Sequence, residues 1–310
     1  LIQEYSSSEF MRVLFVTAAN EPYAELLREL VQSLHAWDRP LHTALACFDL
    51  GLDAASRQWI GQYAEHIVTP GWDLAVSEHI RATQSHLRAL TARPFLRDYF
   101  PGYDMYLWID SDCWVQEQEA LKWYIAAASH GAMAITPEVH HAYIQRQAIH
   151  QWRADRLRAC FGPDIAQQLN WNPYFNAGVF ALRDNAPHWA LWRQAFEHGL
   201  EATQGRVCCD QTALNHMLWT HGGPVNPLSA TCNWLCHLRA PGYDVDRQRF
   251  CEPTALWHPL GILHLVADTK SLAVQVRDKE GIHNIPVRFA TTRSIGSKKT
   301  GSQKKVHSDP

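Results

Sequence analysis

Five consecutive apolar residues, Met105-Tyr106-Leu107-Trp108-Ile109, run without a polar break into Asp110-Ser111-Asp112. A strand that faces water on one side alternates, so an unbroken run of this length suits a strand covered on both faces. The chain is therefore expected to be a layered α/β protein, with helices on both sides of the sheet that holds this strand. Two carboxylates then sit at the strand's carboxyl end, where such sheets collect ligands.

The rest of the chain reads as alternating units around that strand. Residues 11–17 form a β-rich run, and 22–37 carry Ala24, Leu27, Leu30, Val31 and Leu34 at helical spacing. A strand is predicted at 42–48, a helix at 53–64 with Asp53 as its N-cap, and a short strand at 66–68 before the Pro70-Gly71 turn. Helical pattern at 78–99 is interrupted by Pro94. Further helices are predicted at 117–129, 139–169, 187–200 and 210–220, and strands at 132–136, 174–182, 261–265 and 272–276. No internal repeat is visible.

The 46% hydrophobic share supplies a core, while thirteen Trp offer flat surfaces that serve cores and carbohydrate sites alike. The formal net charge is -3; from Arg293 onward five basic residues meet one acid, so the body before it carries -3 minus +4, or -7. That balance argues against a nucleic-acid partner. Residues 1–10 read as an extension, 11–292 as the folded domain and 293–310 as a disordered basic tail, either solvated or touching acidic lipid head groups. No apolar run approaches the roughly 18 residues of a spanning helix, so a soluble, cytoplasmic protein is expected, peripheral to the inner membrane face if the tail makes that contact. The eight Cys contain no CxxC pair; Cys232, Cys236 and His237 are spaced poorly for zinc, and buried thiols in a reducing compartment are the expectation.

Residues two apart in an extended segment point the same way, so Asp110 and Asp112 can converge on one hard cation, Mg²⁺ or Mn²⁺. A polar turn ending a strand is the plainer alternative. The stretch from Tyr103 to Asp112 resembles the Asp-x-Asp segment of GT-A glycosyltransferases, especially glycosyltransferase family 8 and its bacterial relatives. The resemblance implies a GT-A (nucleotide-diphospho-sugar transferase) fold, a Rossmann-like mixed sheet flanked by helices, from Met11 to about Lys270.

Five further elements match in order. Thr17-Ala18-Ala19-Asn20 resembles the segment lining the nucleoside, and Arg93 a basic residue on the donor side, with a surface cation as the alternative. Tyr174-Phe175-Asn176-Ala177-Gly178-Val179 resembles the FNAGV segment, implying that Asn176, Ala177 and Gly178 face the donor sugar; a buried Asn tying two loops is the other reading. Cys209-Asp210-Gln211-Thr212-Ala213-Leu214-Asn215 resembles the family's DQ segment, implying that Asp210 and Gln211 contact the transferred sugar, although Asp210 could also cap a helix. His264 with Lys270 six positions later resembles the family's closing motif, implying a third metal ligand and a diphosphate contact; Ala267 stands where the family has Gly. Trp234 and Glu138 are candidates for acceptor contacts, with core packing as the alternative for Trp234.

The resemblance implies transfer of a hexose from a nucleotide sugar, UDP-linked, to a saccharide or surface-polymer hydroxyl, with Asp110, Asp112 and His264 holding Mn²⁺ or Mg²⁺. Asp110, Ser111, Asp112 and Lys270 meet the donor phosphates, and Asn176, Asp210 and Gln211 orient the sugar. Retention of anomeric configuration is implied; an inverting enzyme would need Asp210 or Glu138 as base. The rivals are a sugar-1-phosphate nucleotidyltransferase, whose Gly-rich loop is missing from Ala18-Ala19-Asn20-Glu21-Pro22, and a silent carbohydrate-binding protein on the same fold.

Overall fold

The computed structural model describes residues 11–36, 43–278 and 281–291. The extension 1–10 and the basic tail 293–310 lie outside the described residues. In chain order the strands are β1 Val13–Ala19, β2 Thr43–Asp49, β3 His66–Val68, β4 Met105–Ile109, β5 Cys113–Val115, β6 Met133–Pro137, β7 Phe175–Arg183, β8 Val225–Pro227, β9 Trp234–Leu235, β10 Gly242–Asp244, β11 Arg249–Cys251, β12 Ile262–His264, β13 Ala273–Asp278 and β14 Gly281–Pro286.

Among the described residues, seven strands form one sheet in the order β3-β2-β1-β4-β7-β6-β8. Only β7 is reversed: it pairs antiparallel with β4 and β6, while β1 is parallel to β2 and β4, and β6 to β8. The expected Rossmann-like mixed sheet is the one observed. Tyr106 and Trp108 of β4 enter a core that includes Phe180, Trp189 and Trp192, whereas Met105, Leu107 and Ile109 enter the opposite core beside Leu27, Leu30 and Tyr124. That two-sided burial is why the run has no polar alternation.

Two local rules set several helix boundaries. Asp53 caps the helix Ala54–Ile60, its Oδ1 accepting from Ser56 N at 2.7 Å. Residues 78–99 break into Glu78–Thr83, Arg88–Ala92 and Leu96–Tyr99, the last break being the turn Arg93–Phe95 that contains Pro94. The helical region expected at 139–169 is an irregular loop to Arg146, then Gln147–Phe161 and Pro163–Leu169, divided where Gly162 adopts φ +87 and Pro163 starts the second helix. All eight cysteines are free, six of them buried.

A second, three-stranded sheet joins β12, which falls within the strand expected at 261–265, to β5 and β9, which the sequence does not predict. It positions the site, because antiparallel pairing sets His264 opposite Cys113 and Leu265 N donates to Asp112 O at 2.9 Å. Among the described residues, no helix is long and apolar enough to cross a membrane.

Candidate active site

Past the end of β4 the chain turns through Asp110-Ser111-Asp112 into β5, and Asp110 N donates to Gly178 O at 2.8 Å, extending the pairing with β7 by one residue. Asp110 Oδ1 accepts from Trp108 Nε1 at 2.8 Å and from Arg93, which leaves Oδ2 3.7 Å from His264 Nε2. Asp112 Oδ1 lies 3.2 Å from the same nitrogen, and its Oδ2 lies 3.2 Å from Lys270 Nζ. Two carboxylates thus flank one imidazole nitrogen.

The protonation of that imidazole can be traced to a backbone amide. Gly178 N, which can only donate, gives its hydrogen to Asn176 Oδ1 at 3.0 Å. The Asn233 atom 3.0 Å from Asn176 Oδ1 is therefore its amide nitrogen, and Asn233 Oδ1 faces His264 Nδ1 at 3.0 Å. Nδ1 carries the hydrogen, so the neutral ring presents a bare Nε2 lone pair to the carboxylates. Burial disfavours charging His264, yet Asp112 and then Asp110 raise its affinity for a proton. Burial likewise raises the Asp110 carboxyl, with Asp112 adding to it against Arg93, whereas His264 and Lys270 overcome burial at Asp112 and hold it below the usual range. Two acids and a lone pair drawing a proton between them fit a divalent cation, with Mn²⁺ accepting the mixed oxygen and nitrogen set. Removing the Asn233 amide should cost roughly 10–100-fold in cation affinity, as for other groups that orient a ligating histidine. Titration of Asn233→Ala with Mn²⁺ measures this, and unchanged affinity would remove Asn233 from the site.

Gly178 is the spatial requirement at the centre. A Cβ there would stand 2.3 Å from His264 Cε1, 2.8 Å from Asn176 Oδ1 and 2.9 Å from Asp110 Oδ2. The register of β6 against β7 shifts between Ile135, paired with Phe180, and Thr136, paired with Asn176, so 177–179 leave the ladder with β6. The freed Ala177 N donates to Gln211 Oε1 at 2.9 Å. Asn215 straps the helix Asp210–Thr220 to β7, accepting from Phe175 N at 2.7 Å and donating to Phe175 O at 2.9 Å.

Several sequence expectations are changed by these partners. Arg93 is no surface cation: it is 6% exposed, bridges Asp110 and Asp210, and lies 4.5 Å over the Trp108 ring. Both its arms are thus taken up inside the protein. Asp210 is the first helical residue rather than the cap, its Oδ1 accepting from Gln211 N at 2.8 Å. Asn176 Nδ2 and Gln211 Nε2 both donate to Glu138 Oε1, at 2.9 and 3.2 Å, and Arg153 pairs with Oε2. Glu138 is 5% exposed and Trp234 fully buried against Tyr143 and His140, so neither presents a surface to an acceptor. Sequence reasoning missed Asn233, whose partners lie 57 and 31 residues away, and Cys113, whose thiol falls with Asp112 and His264 among groups able to share one ion.

A cavity of about 380 Å³ opens beside the carboxylates, lined by Ala18, Ala19, Asn20, Tyr23, Arg93 and Trp108 together with Asp110, Ser111 and Asp112. Lys270 closes the far side of Asp112 from the turn Ala267–Ser271, donating also to Ala267 O at 2.9 Å. Ala267 has φ +57, which explains Gly at this place in the resembling proteins. Because a left-handed Ala costs about 1–2 kcal/mol and Gly returns part of that as unfolded-chain entropy, Ala267→Gly should stabilise by about 0.5–1 kcal/mol. Urea unfolding measures this; a loss of stability would contradict the strained turn.

No protein-family model matches the chain, and no curated protein matches it. Solved structures do. The chain is similar to the galactosyltransferase LgtC in complex with donor and acceptor sugar analogues, with a TM-score of 0.56 and 18% identity over 95% of this chain and 97% of that one. The chain has the GT-A fold. An active-site mutant of LgtC aligns with a TM-score of 0.51 and 19% identity over 82% and 87% of the two chains. Mouse xyloside xylosyltransferase 1, in its apo form, gives 0.51 and 15% over 84% and 98%. At these identities the likeness establishes the GT-A architecture, and the chemistry has to be argued from the site.

Proposed function

We propose that this GT-A chain is a metal-dependent glycosyltransferase that moves a hexose from a UDP-linked donor to a saccharide or surface-polymer hydroxyl. The observation that carries the reading is the meeting of Asp110, Asp112 and His264 at the wall of the cavity formed by Ala18, Ala19 and Asn20. Small side chains at the end of β1 leave room for a nucleobase against the backbone.

The difficulty in such a transfer is the charge that grows on the departing diphosphate as the anomeric bond breaks. A divalent cation supplies Lewis-acid stabilisation of that charge when bound. Asp110 Oδ2, Asp112 Oδ1 and His264 Nε2 are the atoms available to hold it. Lys270, whose ammonium is kept charged by Asp112 despite partial burial, adds a positive group on the same side. Arg93 serves the reaction by fixing Asp110, and Asn176 by fixing Asn233 and through it His264. Gln211 holds the Ala177 backbone and Glu138, and Asp210 anchors Arg93.

Retention of configuration is supported by the state of both acids that could serve an inverting enzyme as base: Asp210 is paired with Arg93 and Glu138 with Arg153. For the acceptor, we assign the cavity of about 580 Å³ lined by Arg146, His237, Arg239 and Asp268, which includes part of the turn that carries Lys270. A panel of nucleotide sugars, scored by release of free nucleoside diphosphate with and without Mn²⁺, tests the reading. Release of UDP that requires Mn²⁺ is expected; no release from any donor would overturn it.

A further inference from the structure

A second group of side chains able to ligate a metal stands on the loop after β6 and the segment after β11. His140, His141 and Glu252 each offer one ligand atom, and these atoms lie within 4.8 Å of one another. The two imidazole rings have centroids 4.1 Å apart. Glu252 is the buried member, with a side chain 3% exposed, and its Oε2 lies 3.0 Å from His140 Nε2. Its Oε1 accepts no well-directed hydrogen bond among the described residues, although His258 Nδ1 stands 2.7 Å away. Nor does any Lys or Arg pair with Glu252 among the described residues. Three imidazoles thus stand around one buried carboxylate, His140 at its Oε2, His258 at its Oε1 and His141 within 4.8 Å of the shared ligand atoms.

We propose that His140, His141 and Glu252, completed by His258, bind one borderline divalent cation of the Zn²⁺ type. Imidazole nitrogen with a single carboxylate suits that class, whereas the aspartate pair at the end of β4 suits harder ions. Coordination through His140 Nε2 moves the ring proton to Nδ1 and gives up the 3.2 Å contact from Ala142 N. A bond to the metal replaces that weak contact. His140 and Glu252 are 112 residues apart, so the cation ties the loop carrying Glu138 to the β11 segment. His140 also packs edge-on against Trp234, beside β12 and His264, so the clip braces the wall behind the active site.

Zn²⁺ uptake by the full chain carrying Asp112→Asn, in which the first cation site is disabled, tests the proposal separately from the glycosyltransferase reading. The wild-type chain presaturated with Mn²⁺ serves if that variant does not fold. One Zn²⁺ per chain is expected, with a rise in melting temperature and, on Co²⁺ substitution, visible absorption of a four-coordinate ion. His141→Ala with His258→Ala, both on exposed side chains, should weaken uptake at least tenfold with an unchanged circular dichroism spectrum. Glu252→Gln, which keeps a partner for His140, should do the same. Equal affinity in these variants, or no uptake by the parent, overturns the site.

Discussion

Asp112→Ala should lower Mn²⁺-dependent hydrolysis of a UDP-sugar by about 10³-fold, the scale seen when one group stabilising developing charge is removed. Asp112 is the residue on which the site's electrostatics converge, touching His264 through Oδ1 and Lys270 through Oδ2. Without it Asp110 Oδ2 and His264 Nε2 are the remaining ligand atoms of the proposed three, too few to hold a cation against water. The fold should survive, because His264 can stay neutral with its Nδ1 on Asn233, and Lys270 keeps the carbonyls of Leu265 and Ala267. Circular dichroism and initial rates on the purified variant measure both halves. Hydrolysis at the parent rate would exclude Asp112 as a ligand.

Gly178→Ala should be nearly as damaging, although it adds a single methyl group. Its atoms would meet side chains that cannot swing away: His264 is anchored by Asn233, Asp110 by Arg93 and Trp108, and Asn176 by Glu138 and Asn233. The 2.3 Å approach to His264 Cε1 requires a shift of about 1 Å to reach ordinary contact, and displacements of that size cost on the order of 10²-fold in rate. Overpacking should also lower stability by about 1–3 kcal/mol. Gly71→Ala is the control, since a Cβ there meets nothing within 4 Å. Equal activity of the two variants would mean that the space at Gly178 is not what orders the site.

What could be read from sequence was whatever depends on local pattern. The strand Met105–Ile109 and the helix Asp210–Thr220 show their burial or spacing within a single window, and the structure has them at the expected residues. Asp110, Asp112, His264 and Lys270 were identified as candidates, and the fold gathers them. β5 is invisible because three residues after a turn have no period, and its partner β12 lies more than a hundred residues on. Amides were legible as residue types but not as networks. Asn176 and Gln211 are expected to contact the sugar, and the sequence does not show that their hydrogen bonds also go to Gly178, Asn233, Glu138 and Ala177, partners chosen by tertiary packing. Arg93 shows the same gap, since a cation's burial depends on carboxylates supplied by other elements.

Isothermal titration of the wild-type chain with UDP, in the presence and absence of Mn²⁺, puts the cation between Asp110, Asp112 and His264 to the most direct test. Saturable one-to-one binding with Mn²⁺, and at least a tenfold weaker signal without it, is the predicted result. UDP bound equally well without the metal, or not bound at all, would contradict a cation-bridged donor site at the end of β4.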